Sequence, residues 1–267
     1  MIASARMYEW SPSLVRAWRT LLEWVSRRAR ANLEVLDRGS ISLEEIWARD
    51  DMACVFMCGY PWALSEIRPA LLAAPVPSPP RYRGRPEYVS DFVVRADGPW
   101  RSLEDTFGGT IAFSTEWSHS GYNAARYHLL RYLSPGQPGL FARAAGPYMR
   151  QRRVIEAVLQ GEADVAAIDG YACDLLGRHD PEVVARLRII ATTAPAPAPP
   201  LVASPGLPAD VRARIQEALL RVHTDPTMAE ALDDLLLTRF APVNPEAFDL
   251  FLAWQRAAER AGYPKLA

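Results

Sequence analysis

Lysine is almost missing from this sequence: Lys265, three residues from the end, is the only one, so 29 of the 30 basic residues are arginine. A phosphate-binding loop of the Walker type needs its lysine and a Schiff-base enzyme needs an amine, and no interior lysine supplies either. Cysteine is scarce as well. Cys54, Cys58 and Cys173 contain no C-x-x-C pair, and an odd number makes no disulfide framework. The four histidines, His119, His128, His179 and His223, lack the H-E-x-x-H spacing, so neither a structural zinc nor any other metal or cofactor is expected. Surplus charge is lacking too. With 30 Lys and Arg against 31 Asp and Glu, the net charge of -1 gives no drive toward nucleic acid or an anionic membrane. The uncharged stretch from Ile189 to Ala209 has the length of a membrane span but carries six prolines, so membrane insertion is not expected. The first residues, Met1-Ile2-Ala3-Ser4-Ala5-Arg6, show no basic region followed by an apolar leader core. The sequence as it stands therefore reads as cytoplasmic, or as periplasmic if a leader has been removed.

What is present is a chain of 267 residues, 49% hydrophobic and 10% aromatic, long enough for two lobes of roughly 100 to 150 residues each. Six of the 23 prolines fall between Pro69 and Pro86 and six between Pro195 and Pro208. Both tracts read as extended connections that exclude helix. They predict one lobe from residues 1–91 plus 197–267 and an inserted lobe from residues 92–196.

The N-terminal portion opens with an apolar run, Met1 to Tyr8, followed by a helix with Leu14, Val15, Trp18, Leu21, Leu22 and Val25 on one face. Ser11 before Pro12 supplies its cap and its first-turn proline. Met52 to Met57 reads as a buried strand ending in a turn at Cys58-Gly59-Tyr60-Pro61. In the central segment, strands are expected over residues 88–95, 110–113 and 165–168. A helix follows Ser118-His119-Ser120-Gly121, and another around Val154 to Leu159 is ended by Gly161. This alternation predicts an α/β fold with a sheet covered on both faces and a ligand site beyond the strand ends. Three helices, near 209–222, 226–236 and 245–261, close the chain.

The strongest chemical signal is Ser114-Thr115-Glu116-Trp117-Ser118-His119-Ser120-Gly121-Tyr122-Asn123, which follows a strand and opens a helix. The first turn of a helix has unsatisfied amide donors and about half a positive charge, so it holds an oxyanion without lysine. The simpler alternative is that Ser118 or Ser120 is only the helix cap. Tyr8 and Trp10 follow the first strand, and Cys58-Gly59-Tyr60 follows the buried one. Their aromatics either close over a ligand across a cleft or pack against neighbouring loops. No His or acid stands at a spacing that would activate Cys58. Arg81-Tyr82-Arg83-Gly84-Arg85 reads as a solvated basic loop or as a steering patch for an anion. Asp169 is either a ligand donor or the cap of the helix that follows it.

These residues resemble the type 2 periplasmic-binding-protein superfamily, and within it the phosphate, phosphite and phosphonate binders. The likeness is carried by Ser118 to Asn123, by Val154-Ile155-Glu156-Ala157-Val158-Leu159-Gln160-Gly161-Glu162-Ala163-Asp164-Val165-Ala166-Ala167-Ile168-Asp169, and by Cys58-Gly59-Tyr60-Pro61. It implies a two-lobed Venus-flytrap fold with a mixed sheet in each lobe and two interlobe crossings. It further implies that Ser118, Ser120 and Gly121, with Ser114 and Thr115, grip the anion while Tyr8, Tyr60, Tyr88 and Ser90 face it. His119, Tyr122, Gln151 and Asp169 complete the expected site. Where phosphonate binders have a histidine in a Gly-Ser-His run, this chain reads Met149-Arg150-Gln151, and Gln151 donates a hydrogen bond without carrying charge.

The expected function is non-enzymatic binding of a small anion by a solute-receptor homologue, with an ABC-transporter permease as partner and hinge closure at the crossings. The alternative is a cytoplasmic enzyme on the same fold, such as a futalosine-route lyase of menaquinone synthesis, with Asp169, Glu116 and His119 as its only candidate acids and bases. A ligand-sensing module is a weaker third reading, since no helix-turn-helix is present.

Overall fold

The computed structural model describes residues 1–36, 41–134, 136–137 and 139–267. The chain forms two compact units, Met1–Glu87 with Pro197–Ala247, and Tyr88–Ala196 with Phe248–Ala267. It passes between them at three points. The first two are the short strands Glu87–Tyr88 and Ala196–Pro197, which pair with one another, and the third lies between Ala247 and Phe248.

The first unit is built on a six-stranded sheet in the order Leu237–Ala241, Ala70–Pro77, Leu201–Ala203, Met52–Phe56, Ile2–Ser4, Glu34–Val35. The pairs made by Ile2–Ser4 are parallel and the others antiparallel. The apolar run at the N-terminus is a strand only to Ser4 and then turns through a 3-10 helix, Arg6–Tyr8. The Pro12–Arg28 helix starts where the sequence marks it: Ser11 Oγ accepts from the Leu14 N–H at 3.3 Å, and Leu14, Trp18, Leu21, Leu22 and Val25 are buried. Cys58-Gly59-Tyr60-Pro61 is not a simple turn. It opens a short helix, Gly59–Leu64, because a proline in a first turn gives up no intrahelical hydrogen bond.

The first proline tract is not a bare connection either. Residues Ala70–Pro77 form an interior strand in spite of Pro75 and Pro77, and the register explains why. Leu201–Ala203 pairs only with residues 70–73, and Leu237–Ala241 pairs with residues 74–77. The prolines therefore lie where the strand has one neighbour, and their missing N–H costs no ladder bond on the open side.

The second unit has a five-stranded mixed sheet in the order Leu187–Thr192, Ser90–Arg95, Val165–Asp169, Thr110–Ala112, Arg143–Ala145. The three expected strands are present. Leu187–Thr192 and Arg143–Ala145 were not anticipated, because Leu187-Arg188-Ile189-Ile190-Ala191-Thr192 runs straight into the uncharged, proline-rich stretch and Arg143-Ala144-Ala145 is short and has no β-branched residue. The Gln151–Gln160 helix ends at Gly161, whose φ of 77° is left-handed, a conformation that costs glycine least. The core joins Phe92, Val94, Ile111, Phe113, Tyr122, Leu129 and Val165 to Tyr263 and Leu266. The sequence reading placed the closing helix with the first lobe; the Asp249–Arg260 helix packs in the second unit. The Asn123 carboxamide there donates to the Phe251 carbonyl at 3.0 Å, and Arg126 donates to the Pro264 carbonyl at 2.5 Å.

Candidate functional site

The serine-rich turn is the best-defined polar constellation of the second unit. Strand Thr110–Ala112 delivers the chain to Ser114 and Thr115, and the helix then opens with a π-turn, His119–Asn123, continuing as Ala124–Leu129. Ser118 is its cap: its Oγ accepts from the Gly121 N–H at 3.1 Å, and its backbone N–H donates to Thr115 O at 3.1 Å. The wider π-turn puts the first backbone bond at Asn123 N–H to Ser118 O, 3.0 Å. Of the amides in this first turn, the Gly121 N–H is taken up by the Ser118 cap.

Gly121 is fixed by close approach. A Cβ there would lie 2.9 Å from Ser114 Oγ, 3.2 Å from Ser118 Oγ and 3.5 Å from Ala167 O. Only a glycine lets the helix start nestle against both hydroxyls and the end of the Val165–Asp169 strand.

Gln151 ties this turn to its neighbour. Its Nε2 donates to Ser120 Oγ at 3.0 Å, and its Oε1 accepts from the Asp169 N–H at 2.7 Å. Because Ser120 Oγ already receives a hydrogen bond, its own hydroxyl hydrogen remains available to donate. Thr115 Oγ1 is buried and has no hydrogen-bond partner. The cluster therefore offers hydroxyl and amide donors that carry no formal charge. Met149, left-handed at φ 64°, donates its N–H to Ser114 O at 2.9 Å and so anchors the loop that presents Gln151.

Other expected residues have different occupations. His119 is 1% exposed, with its ring 4.3 Å from Phe251 and 5.3 Å from Trp254 between centroids, and burial pushes its pKa down to about 3. It is a neutral core imidazole. Tyr122 is buried edge-on to Phe113 at 5.2 Å with Arg126 over its ring. Asp169 caps the Gly170–His179 helix, its Oδ1 accepting from the Ala172 N–H at 3.0 Å. Beside it, Tyr171 is raised well above an ordinary phenol by burial and by the Asp169 charge. Tyr88 and Ser90 are buried at the start of the second unit, Tyr88 with its ring 6.0 Å from that of His119. The Ser90 N–H donates to Thr193 Oγ1 at 2.9 Å. Thr193 is a polar partner the sequence does not signal: it stands two residues before the second proline tract, and nothing local points to a contact with Ser90.

In the first unit, Tyr8 is packed 5.2 Å from Phe56 and 6.4 Å from Trp18. Trp10 donates through Nε1 to Met7 O at 2.8 Å. Cys58 is buried, outside any disulfide, at the cap position of Gly59–Leu64, and Gly59 and Tyr60 are buried in that helix. Glu116 is exposed. No group of three or more His, Cys, Asp or Glu able to hold a metal is found among the described residues. No described helix is long and apolar enough to cross a membrane.

A mixed sheet in each of two units and a hydroxyl-rich helix start belong to the class of solute-binding proteins with the type 2 periplasmic-binding-protein fold. Residues 8–248 match the family described as the periplasmic substrate-binding protein of phosphonate ABC transporters, and the chain belongs to that family. Its members are transporter substrate-binding proteins, not enzymes, which removes the lyase alternative; membership implies a small-molecule ligand and a permease partner. No curated protein matches the sequence.

Among solved structures, the binding-protein component of a Pseudomonas aeruginosa ABC phosphonate transporter is 18% identical. The alignment covers 98% of this chain and 87% of that one, with a TM-score of 0.80. The Prochlorococcus marinus protein PhnD1, in complex with methylphosphonate, is 14% identical over 97% of each chain, with a TM-score of 0.76. A Xanthomonas citri protein bound to chloride is 22% identical over 98% of each, with a TM-score of 0.65. These similarities establish the fold.

Proposed function

We propose that the protein binds a small phosphonate-, phosphite- or phosphate-like anion at the Ser118–Gly121 helix start and presents it to an ABC-transporter permease. The observation that carries this reading is the Gln151–Ser120 hydrogen bond, which leaves the Ser120 hydroxyl hydrogen available to donate at the start of the helix. The buried, unpartnered Thr115 hydroxyl adds a second donor of the same kind. Ser118 contributes its backbone position, its side chain being committed to the cap. Gln151 replaces a charged imidazole with a neutral carboxamide. The grip then rests on hydrogen bonds and the helix dipole, with no ion pair.

Calorimetry with methylphosphonate, phosphite and phosphate on the wild type and on Gln151→Ala tests the reading. Gln151→Ala releases Ser120, and a loss of about tenfold in affinity is expected, the size of one hydrogen bond to a charged group. Binding of none of the three anions, or equal binding by wild type and variant, contradicts it.

A further inference from the structure

The first unit carries a basic pocket that the transport reading does not use. It has a volume of about 210 Å³ and is lined by Arg28, Arg30, Arg214, Glu217, Ala218 and Arg221. Four guanidiniums thus surround one small space in a protein whose net charge is -1. Arg214 and Arg221 have carboxylates beside them, Asp210 at 2.6 Å and Glu217 at 3.7 Å, and all four of these side chains are solvent-exposed to a large degree. Arg214 is further held by its Nε, which donates to Ala29 O at 2.8 Å. Arg28 and Arg30 make no ion pair among the described residues. The Asp225 carboxylate is held below its ordinary pKa by hydrogen bonds from Thr227 and Trp24 and, to a smaller degree, by the charge of Arg28.

Dipole compensation does not account for the whole group. The ends of the Pro12–Arg28 and Ala209–Arg221 helices each bring about half a negative charge. With Glu217, Asp210 and Asp225 counted the neighbourhood is close to balanced, but in the lining of the pocket itself four guanidiniums stand against one carboxylate, Glu217. Arg30 also stands outside its helix, in the left-handed conformation at φ 50° where helices commonly place glycine. A long charged side chain in that conformation is a local cost to the fold, and such costs gather at binding sites.

We infer that this pocket is a second anion site, taking a multiply charged phosphate chain of the pyrophosphate type. Its volume admits two phosphoryl groups. The planar guanidinium forks of Arg28 and Arg30 suit bidentate contact with phosphate oxygens. A single exposed guanidinium contributes little, so a monovalent anion binds weakly here and several charges on one ligand are needed.

The test is calorimetric titration of inorganic pyrophosphate at low ionic strength against the wild type, Arg30→Gly, the double variant Arg28→Gln/Arg221→Gln, and Ser120→Ala. Arg30→Gly relieves the left-handed backbone, so its melting temperature should equal or exceed that of the wild type while pyrophosphate affinity falls about threefold to tenfold. The double variant should lose the pyrophosphate heat, and Ser120→Ala should keep it, which separates this pocket from the helix-start site. Absence of pyrophosphate binding by the wild type overturns the inference. So does affinity unchanged by the arginine substitutions, or binding lost with Ser120→Ala alone.

Discussion

At the residue scale, Ser118 and Ser120 stand two positions apart and do different work. Ser118 caps, so Ser118→Ala should cost about 0.5 to 2 kcal/mol of stability. It should lower the melting temperature in the presence and absence of anion alike. Gly121→Ala is expected to affect both properties. Its methyl would stand 2.9 Å from Ser114 Oγ, and relieving that contact displaces a hydroxyl of the turn. Overpacking of this kind costs about 1 to 3 kcal/mol, readable by urea denaturation, with a parallel loss of anion affinity.

His119 gives a pH signature. Its folded pKa of about 3 lies below the ordinary 6.5, so the unfolded chain takes up a proton first as the solution is acidified. The stability this histidine contributes is complete above pH 6.5 and is lost progressively as pH falls toward 3. His128, pushed down to about 4 by burial and by Arg131, acts in the same direction. Melting temperatures between pH 7 and 4.5 should therefore decline, and His119→Phe, which keeps an aromatic ring against Phe251 and Trp254, should flatten the decline. An identical slope in the variant would remove His119 as a source.

At the scale of elements, the sequence was most legible where one chain segment carries its own start and stop signals. Ser11-Pro12 marks the first helix and Gly161 ends the Gln151–Gln160 helix, both by local backbone chemistry. Ser11→Ala is expected to destabilise by about 1 kcal/mol, since the Leu14 N–H loses its acceptor; chemical denaturation of the apo protein measures this. The strand Ala70–Pro77 was illegible for a physical reason: prolines are admitted by the staggered register of its two neighbours, which are remote in sequence. The strand Leu187–Thr192 was obscured likewise, because its pairing with Ser90–Arg95 bridges nearly a hundred residues. In the site, the Ser118 turn was readable from its hydroxyls. The division of labour between its serines depends on Gln151 and Asp169, thirty or more residues away, and only the folded chain supplies it.

For the whole molecule, the central claim is that a protein with a single lysine grips an oxyanion through neutral donors and a helix dipole. Such a site loses little affinity as salt rises, whereas one built on clustered cations loses much. The decisive measurement pairs the melting temperature of apo Ser120→Ala with its anion-induced shift, using whichever of methylphosphonate, phosphite and phosphate the wild type binds. The account predicts an apo protein that melts like the wild type and a ligand shift that is largely lost, the hydroxyl being worth about tenfold to a hundredfold in affinity. An apo variant that melts early but retains the full shift would contradict it, making Ser120 a structural residue and placing the anion elsewhere.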